Sequence, residues 1–164
     1  MTETGSPAAD EPVQRGRTRL GAYALCTDDD GRVLLARLSA IEVEAGAWTL
    51  PGGGVDFGEH PDAAVIRELH EETGYDGEIE DLAGVFSHVY PHSRAAQGAD
   101  LHFLGVLYHV RITGGSLRDE QDGTTDTARW LTPAEMAEIH LVEIARFGVG
   151  LALARAAERA GEPA

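Results

Sequence analysis

The chain has 164 residues, 43% of them hydrophobic, which suits one domain with a core of its own. A formal net charge of −15 excludes a surface built to grip nucleic-acid backbones, because such binding draws its affinity from basic side chains that neutralise phosphates. All 13 basic residues are arginines, which excludes Schiff-base lysine chemistry and leaves anion recognition to planar guanidinium groups.

An acidic chain can still hold small phosphates locally, through a few well-placed arginines or a divalent cation, the densest positive charge available. Cys26 stands alone, so neither an intrachain disulfide nor a cysteine-based zinc site can form, which fits a reducing cytoplasm. No apolar run approaches the ~20 residues of a membrane span. The stretch MTETGSPAADEPVQRGR is acidic and polar where a signal peptide would be apolar. A cytoplasmic protein is expected, with neither a membrane nor a nucleic-acid polymer as partner.

Residues 1–17 are rich in Pro, Gly, Ala and charge without periodicity, and are expected to be a mobile leader. Order begins near Thr18. RLGAYALCT, DDDGR and VLLARL read as strand, turn and strand, a hairpin around an Asp-Gly signal. IEVEAGAWTLPGGG continues extended until Pro51 and the glycines 52–54 break it. A helix follows over 61–73, with Pro61 in its first turn and Gly74 at its end. IEDLAGVFSHVYP and LHFLGVLYHVRIT read as strands joined by a polar loop. GGSLRDEQDGTTDT is a loop and ARWL a short strand; Thr132 caps a short helical segment with Pro133 at its first position, and 141–160 form a last amphipathic helix. This order implies an antiparallel-rich mixed sheet with helices packed on its faces.

On the helix over 61–73, at ~100° per residue, Val65, Ile66, Leu69 and Thr73 fall on one side, and Arg67, Glu68, Glu71 and Glu72 opposite. Glu68 and Glu72 lie one turn apart, about 6 Å along the axis. A solvated acidic face is the ordinary reading of such a cluster. Here like charges repel by a few tenths of a kcal/mol per pair, near a helix end whose dipole disfavours anions. A hard cation such as Mg2+ would resolve the conflict, because it takes oxygen ligands and keeps positions for water and substrate phosphates. Arg67, four residues before Glu71, is spaced to pair with it and hold its orientation. The glycines 52–54 permit positive φ in a bend, and their exposed backbone could also offer a carbonyl to a metal or amides to a phosphate.

Gly53, Glu59, and Arg67-Glu68-Leu69-His70-Glu71-Glu72-Thr73-Gly74-Tyr75 stand at the spacing G-x5-E-x7-R-E-U-x-E-E-x-G-U. That pattern resembles the complete Nudix box. Seven fixed identities at frequencies near 7% coincide by chance on the order of once in 10⁸ windows. Tyr75 stands where the family usually has an aliphatic residue, and His60 where Ser or Thr is commoner as helix cap; neither is a catalytic position.

The resemblance implies an α+β fold, a Nudix-type α/β/α sandwich with a mixed β-sheet between helices, as a single domain over 18–160 followed by a tail, 161–164. It implies a hydrolase that cleaves a nucleoside diphosphate linked to another moiety, such as ADP-ribose or a nucleoside triphosphate, using Mg2+ or Mn2+. Carried over, Glu68, Glu71 and Glu72 are metal ligands, the Gly53 carbonyl is a possible further one, and Glu59 and Arg67 support loop and helix. The general base is either a box glutamate, Glu68 among them, or an acid from a distant loop: Glu120, with Asp119 and Asp122 as alternatives. Trp48 could stack on a base or belong to the core. Pro91, sixteen residues past the box, is similar to a marker of the family's ADP-ribose pyrophosphatases, and Arg94 beside it could hold a phosphate. His88 and His92 imitate a zinc pair, but Pro91 between them disfavours a helix. A non-catalytic Nudix-like nucleotide sensor is the alternative, and the intact glutamates favour the enzyme. A prenyl diphosphate isomerase would need a reactive cysteine, and Cys26 lies in a predicted strand upstream of the box. A homodimer is possible.

Overall fold

The computed structural model describes residues 16–161. The expected leader therefore lies outside the described residues except for Gly16 and Arg17, which already belong to β1 (Gly16–Leu25). Of the expected tail, Gly161 closes the last helix, and 162–164 lie outside. The remaining strands are β2 (Val33–Leu38), β3 (Trp48–Thr49), β4 (Gly52–Gly54), β5 (Tyr75–Tyr90), β6 (Asp100–Gly115) and β7 (Thr125–Leu131). The helices are α1 (Pro61–Thr73), α2 (Pro133–Ala137) and α3 (Glu143–Gly161). None of the described helices is long and apolar enough to cross a membrane.

The strands form a four-stranded sheet in the order β4-β1-β6-β5 and a three-stranded sheet in the order β3-β2-β7. Among the described strands only β1 and β6 pair in parallel, so the larger sheet is mixed and the smaller antiparallel. The expected hairpin survives only at its neck, where Leu34 N–H donates to the Cys26 carbonyl at 3.0 Å. Beyond it β1 leaves for β6, which offers a register running from Gly16↔Asp100 to Leu25↔His109, longer than the six-residue β2 could supply. The second half of β1, residues 21–25, is buried on both faces, and such a segment is satisfied only at the centre of a sheet.

Two further expectations change. Residues 41–46 turn rather than extend: Glu42 N–H donates to Ser39 O, Ala47 N–H to Glu44 O, and Gly46 takes φ +83°. The expected break falls at Leu50 and Pro51, where the chain passes from one sheet to the other, whereas the glycines 52–54 themselves form a strand, antiparallel to β1. Gly52 has φ +146°, and a Cβ there would lie 2.3 Å from the Ala22 carbonyl oxygen, so only glycine lets the two backbones close.

Alternation along β1 divides the core. Ala22, Ala24 and Cys26 pack with Ala64, Val65 and Leu69 of α1. Tyr23 and Leu25 pack on the other face with Ile144, Ala145 and Val149 of α3. The sheets thus lie between helices, as the sandwich expectation requires. α1 takes its predicted bounds: His60 Nδ1 accepts from Asp62 N–H at 3.2 Å as N-cap, and Gly74, at φ +75°, ends the helix by donating to His70 O. Thr132 and Glu135 form a reciprocal capping box at the start of α2.

Leu69 is fully buried between α1 and the sheet. Leu69→Ala is expected to lower unfolding free energy by about 2–5 kcal/mol in a denaturant titration. Leu153→Ala, at a 39% exposed position, should change it by less than about 1 kcal/mol.

Candidate active site

The floor of the site forms where β4 passes beneath the last turns of α1. Burial of Ala64, Val65 and Leu69 fixes which way the helix faces. Glu68 then lies against Gly53, so closely that a Cβ on Gly53 would sit 2.7 Å from the Glu68 carboxylate carbon. Glu72 is only 1% exposed, and its Oε2 accepts the Gly52 N–H at 2.9 Å. Grouping Glu72 with the outward acids is therefore corrected. It stands seven residues after Val65 and three after Leu69, on the stripe that faces the sheet. Glu71 stays exposed.

Burial pushes the Glu72 carboxyl well above the usual carboxylate range; the Gly52 N–H opposes this, and the charges of Glu68, Glu120 and Glu71 add to it. Glu68 is raised too, first by burial, with Arg67 opposing and Glu71 and Glu120 adding.

Arg67 ties the carboxylates together. Its Nε and Nη2 donate to the two Glu59 oxygens, each at 2.9 Å, in a fork-on-fork pair. Nη1 donates to Glu68 Oε1 at 2.8 Å and Glu71 Oε2 at 3.2 Å, and Nη2 reaches the Gly54 carbonyl at 3.3 Å. The expected partner Glu71 is thus one of several. Arg67 first, and the Asp56 N–H second, hold the Glu59 carboxyl down at about 2.

The loop between β6 and β7 adds a further acid. Glu120 Oε2 accepts from Thr125 N–H at 3.0 Å and Thr125 Oγ1 at 2.8 Å, and its charge is felt at both Glu68 and Glu72. Asp119 is turned away, accepting from Thr127 Oγ1 at 2.9 Å and Ala128 N–H at 3.1 Å. Asp122 sits in the turn at φ +59°.

A cleft of about 560 Å³ opens from this floor. Gly52, Gly53 and Glu72 line its base, and Tyr23, Tyr90 and Phe103 form a wall. Trp48 does not belong to it: 8% exposed, it packs in the core beside α3, and the aromatics that face the cleft are those three. Arg94 and Pro91 do line it. So does Arg19, which the sequence did not single out. Strand alternation carried a signal for it, because Arg19 and Tyr23 lie four residues apart and share a face of β1. His88 Nε2 lies 3.7 Å from Glu143, and His92 occupies a turn at φ +51°. Cys26 is buried beneath α1, and burial pushes its thiol up to about 12, which removes it as a nucleophile at neutral pH.

Among the described residues no three His, Cys, Asp or Glu side chains close into a cage for a cation. The donors present are nonetheless those of an open, hard-cation site: the Glu68 and Glu72 carboxylates, exposed Glu71, and a glycine backbone without side chains to block approach. Glu72 makes one hydrogen bond among the described residues, from an uncharged amide, and a cation would offset its buried charge. Mg2+ or Mn2+ fits this donor set.

The family model described as NUDIX domain matches residues 17–147. The chain is 31% identical to a MutT-like protein of Streptomyces ambofaciens, over 71% of this chain and 68% of that protein. It is 31% identical to the CTP pyrophosphohydrolase of Escherichia coli, over 86% of this chain and 94% of that enzyme. Its structure superposes on the crystal structure of a MutT NUDIX hydrolase from Burkholderia pseudomallei with a TM-score of 0.69, covering 82% of this chain and 98% of that one at 29% identity.

The burial of Glu72 predicts a pH effect on the metal-free protein. Its folded pKa lies above the ordinary 4.5, so the native state binds the proton more tightly than the unfolded one. That contribution is fully present below the unfolded pKa and lost as pH rises through the folded one. Glu72→Gln keeps an acceptor for Gly52 N–H and removes the charge. It is expected to raise the metal-free melting temperature at pH 7 and to flatten its decline above pH 5. A wild-type decline unchanged by the substitution would contradict the buried-charge assignment.

Proposed function

The chain belongs to the Nudix family of hydrolases acting on acid anhydrides, and from that membership we propose that it cleaves the pyrophosphate bond of a nucleoside diphosphate derivative, with Mg2+ or Mn2+ as cofactor. The observation that carries this reading is the placement of Glu72 on Gly52 at the base of the cleft, with Glu68 against Gly53 and Glu71 linked to Glu68 through Arg67. Glu68, Glu71, Glu72 and the Gly53 carbonyl would hold the metal. A bound divalent ion supplies neutralisation of the pyrophosphate charge and makes water acidic enough to serve as nucleophile near neutral pH.

The protein's own groups do the rest. Arg67 orients Glu68 and Glu71 and, through Glu59, ties the loop before α1 to the helix. Glu72 draws Gly52 against the helix end. The proton lost by the attacking water goes to Glu68 or Glu120. Glu120 is suited to take it, because Thr125 holds one carboxylate oxygen and leaves the other to accept. The aromatic wall favours a nucleotide over an inorganic anhydride, since a base has a face to lay against it. The name of the Escherichia coli relative supports a nucleotide substrate.

Purified protein with Mg2+ is expected to release phosphate, pyrophosphate or nucleoside monophosphate from members of a panel containing ADP-ribose, CTP and other nucleoside triphosphates. Glu71→Gln and Glu72→Gln are expected to lower kcat about 10²-fold or more while the circular dichroism spectrum stays unchanged. Binding without turnover across the panel would contradict the hydrolase reading, and full turnover by Glu72→Gln would contradict the metal-site assignment.

A further inference from the structure

We infer that Arg19 is the substrate-positioning residue that grips the nucleoside-proximal phosphate, in the space between the aromatic wall and the carboxylate floor. This rests on the proposed reading of the cleft as a nucleotide pyrophosphohydrolase site.

Two placements fix the position of Arg19. In the parallel β1–β6 ladder Arg19 is the register partner of Phe103, so the guanidinium begins beside the aromatic wall. Its far end reaches the glycine strand: a Cβ on Gly54 would lie 3.6 Å from Arg19 Nη2 and 3.9 Å from Nε. Gly54 directly follows the residue that abuts the Glu68 carboxylate. Arg19 therefore spans the interval between a surface suited to a base and a floor suited to the anhydride. A nucleotide laid along that line brings its first phosphate to the guanidinium.

The charge arrangement points the same way. The described ion pairs engage Arg32, Arg37, Arg67, Arg111, Arg155 and Arg159, and Arg19 is not among them. Arg94 and Arg146, which also line the cleft, share this state, so all three of its arginines stand outside the described ion pairs although the cleft also holds Glu42, Glu44, Glu72 and Glu143; of the three, Arg19 is the one placed against the glycine strand. The contrast with Arg67 is direct. Both guanidiniums approach Gly54, but Arg67 spends its donors on Glu59, Glu68, Glu71 and the Gly54 carbonyl. Arg19 retains its donors for a ligand that arrives with its own negative charge. A guanidinium offers two parallel N–H groups at the spacing of phosphate oxygens, a match that lysine lacks.

The test compares wild type, Arg19→Gln, Arg19→Lys and Arg129→Gln, the last removing one exposed positive charge outside the cleft. Steady-state kinetics is measured on the best substrate of the panel, and binding of α,β-methylene ADP with Mg2+ by calorimetry. Arg19→Gln is expected to raise KM and weaken analogue binding about tenfold or more, with kcat within about threefold of wild type. Arg19→Lys should fall between Arg19→Gln and wild type, and Arg129→Gln should match wild type. Wild-type KM and binding in Arg19→Gln, or an equal loss in Arg129→Gln, would overturn the role of Arg19 while leaving the hydrolase reading in place. Weakened analogue binding in Arg19→Gln beside a wild type that turns over no substrate would support Arg19 and overturn the hydrolase reading.

Discussion

The site depends on a stretch of backbone that carries no side chains. Gly52 must come within contact of Ala22 to pair β4 with β1, and Gly53 must leave room for the Glu68 carboxylate. A methyl group at either position meets another atom at under 3 Å, at a backbone oxygen in one case and a carboxylate in the other. Once those glycines are in place, the last turns of α1 settle on them, and the helix's apolar stripe locks the arrangement from the other side. Glu72 sits on that stripe. A carboxylate in a position otherwise reserved for Val65 and Leu69 is costly to bury. Its presence makes sense as half of a charge pair completed by a cation.

The electrostatics follow from this geometry. Arg67 compensates the outer carboxylates Glu59, Glu68 and Glu71, and among the described residues no guanidinium reaches Glu72. The acids therefore divide into a set the protein neutralises itself and one that it leaves charged or protonated according to what else is bound. Glu120, arriving from a different part of the chain, increases the negative field at the same point. Such concentration of charge favours divalent cations and the phosphates they bring, in a molecule whose net charge would otherwise repel anions.

Local signals made much of this legible in the sequence. α1 was readable to its last residue because Pro61 and Gly74 mark its ends and apolar residues recur along it. The box was readable because its identities lie within 23 residues on one helix and one turn. What tertiary pairing decides was not legible. β1 and β2 look like a hairpin until β6, 75 residues further on, offers β1 the longer register. The glycines look like a break until β1 gives them a partner. Trp48 and Phe103 are equally apolar in sequence, and only the sheet order sends one into the core and the other to the cleft. Arg19 belongs to no local pattern; its meaning lies in what stands beside it across the ladder and over Gly54.

The most direct test of the site is a crystal of the protein grown with Mn2+ and α,β-methylene ADP, with data collected at the manganese absorption edge. The expected result is an anomalous peak at coordination distance from Glu72 and Glu68, with the analogue's phosphates against it. A peak bounded by other residues, or an analogue bound away from the Gly52–Gly54 backbone, would contradict the assignment of this cleft as the site of pyrophosphate cleavage.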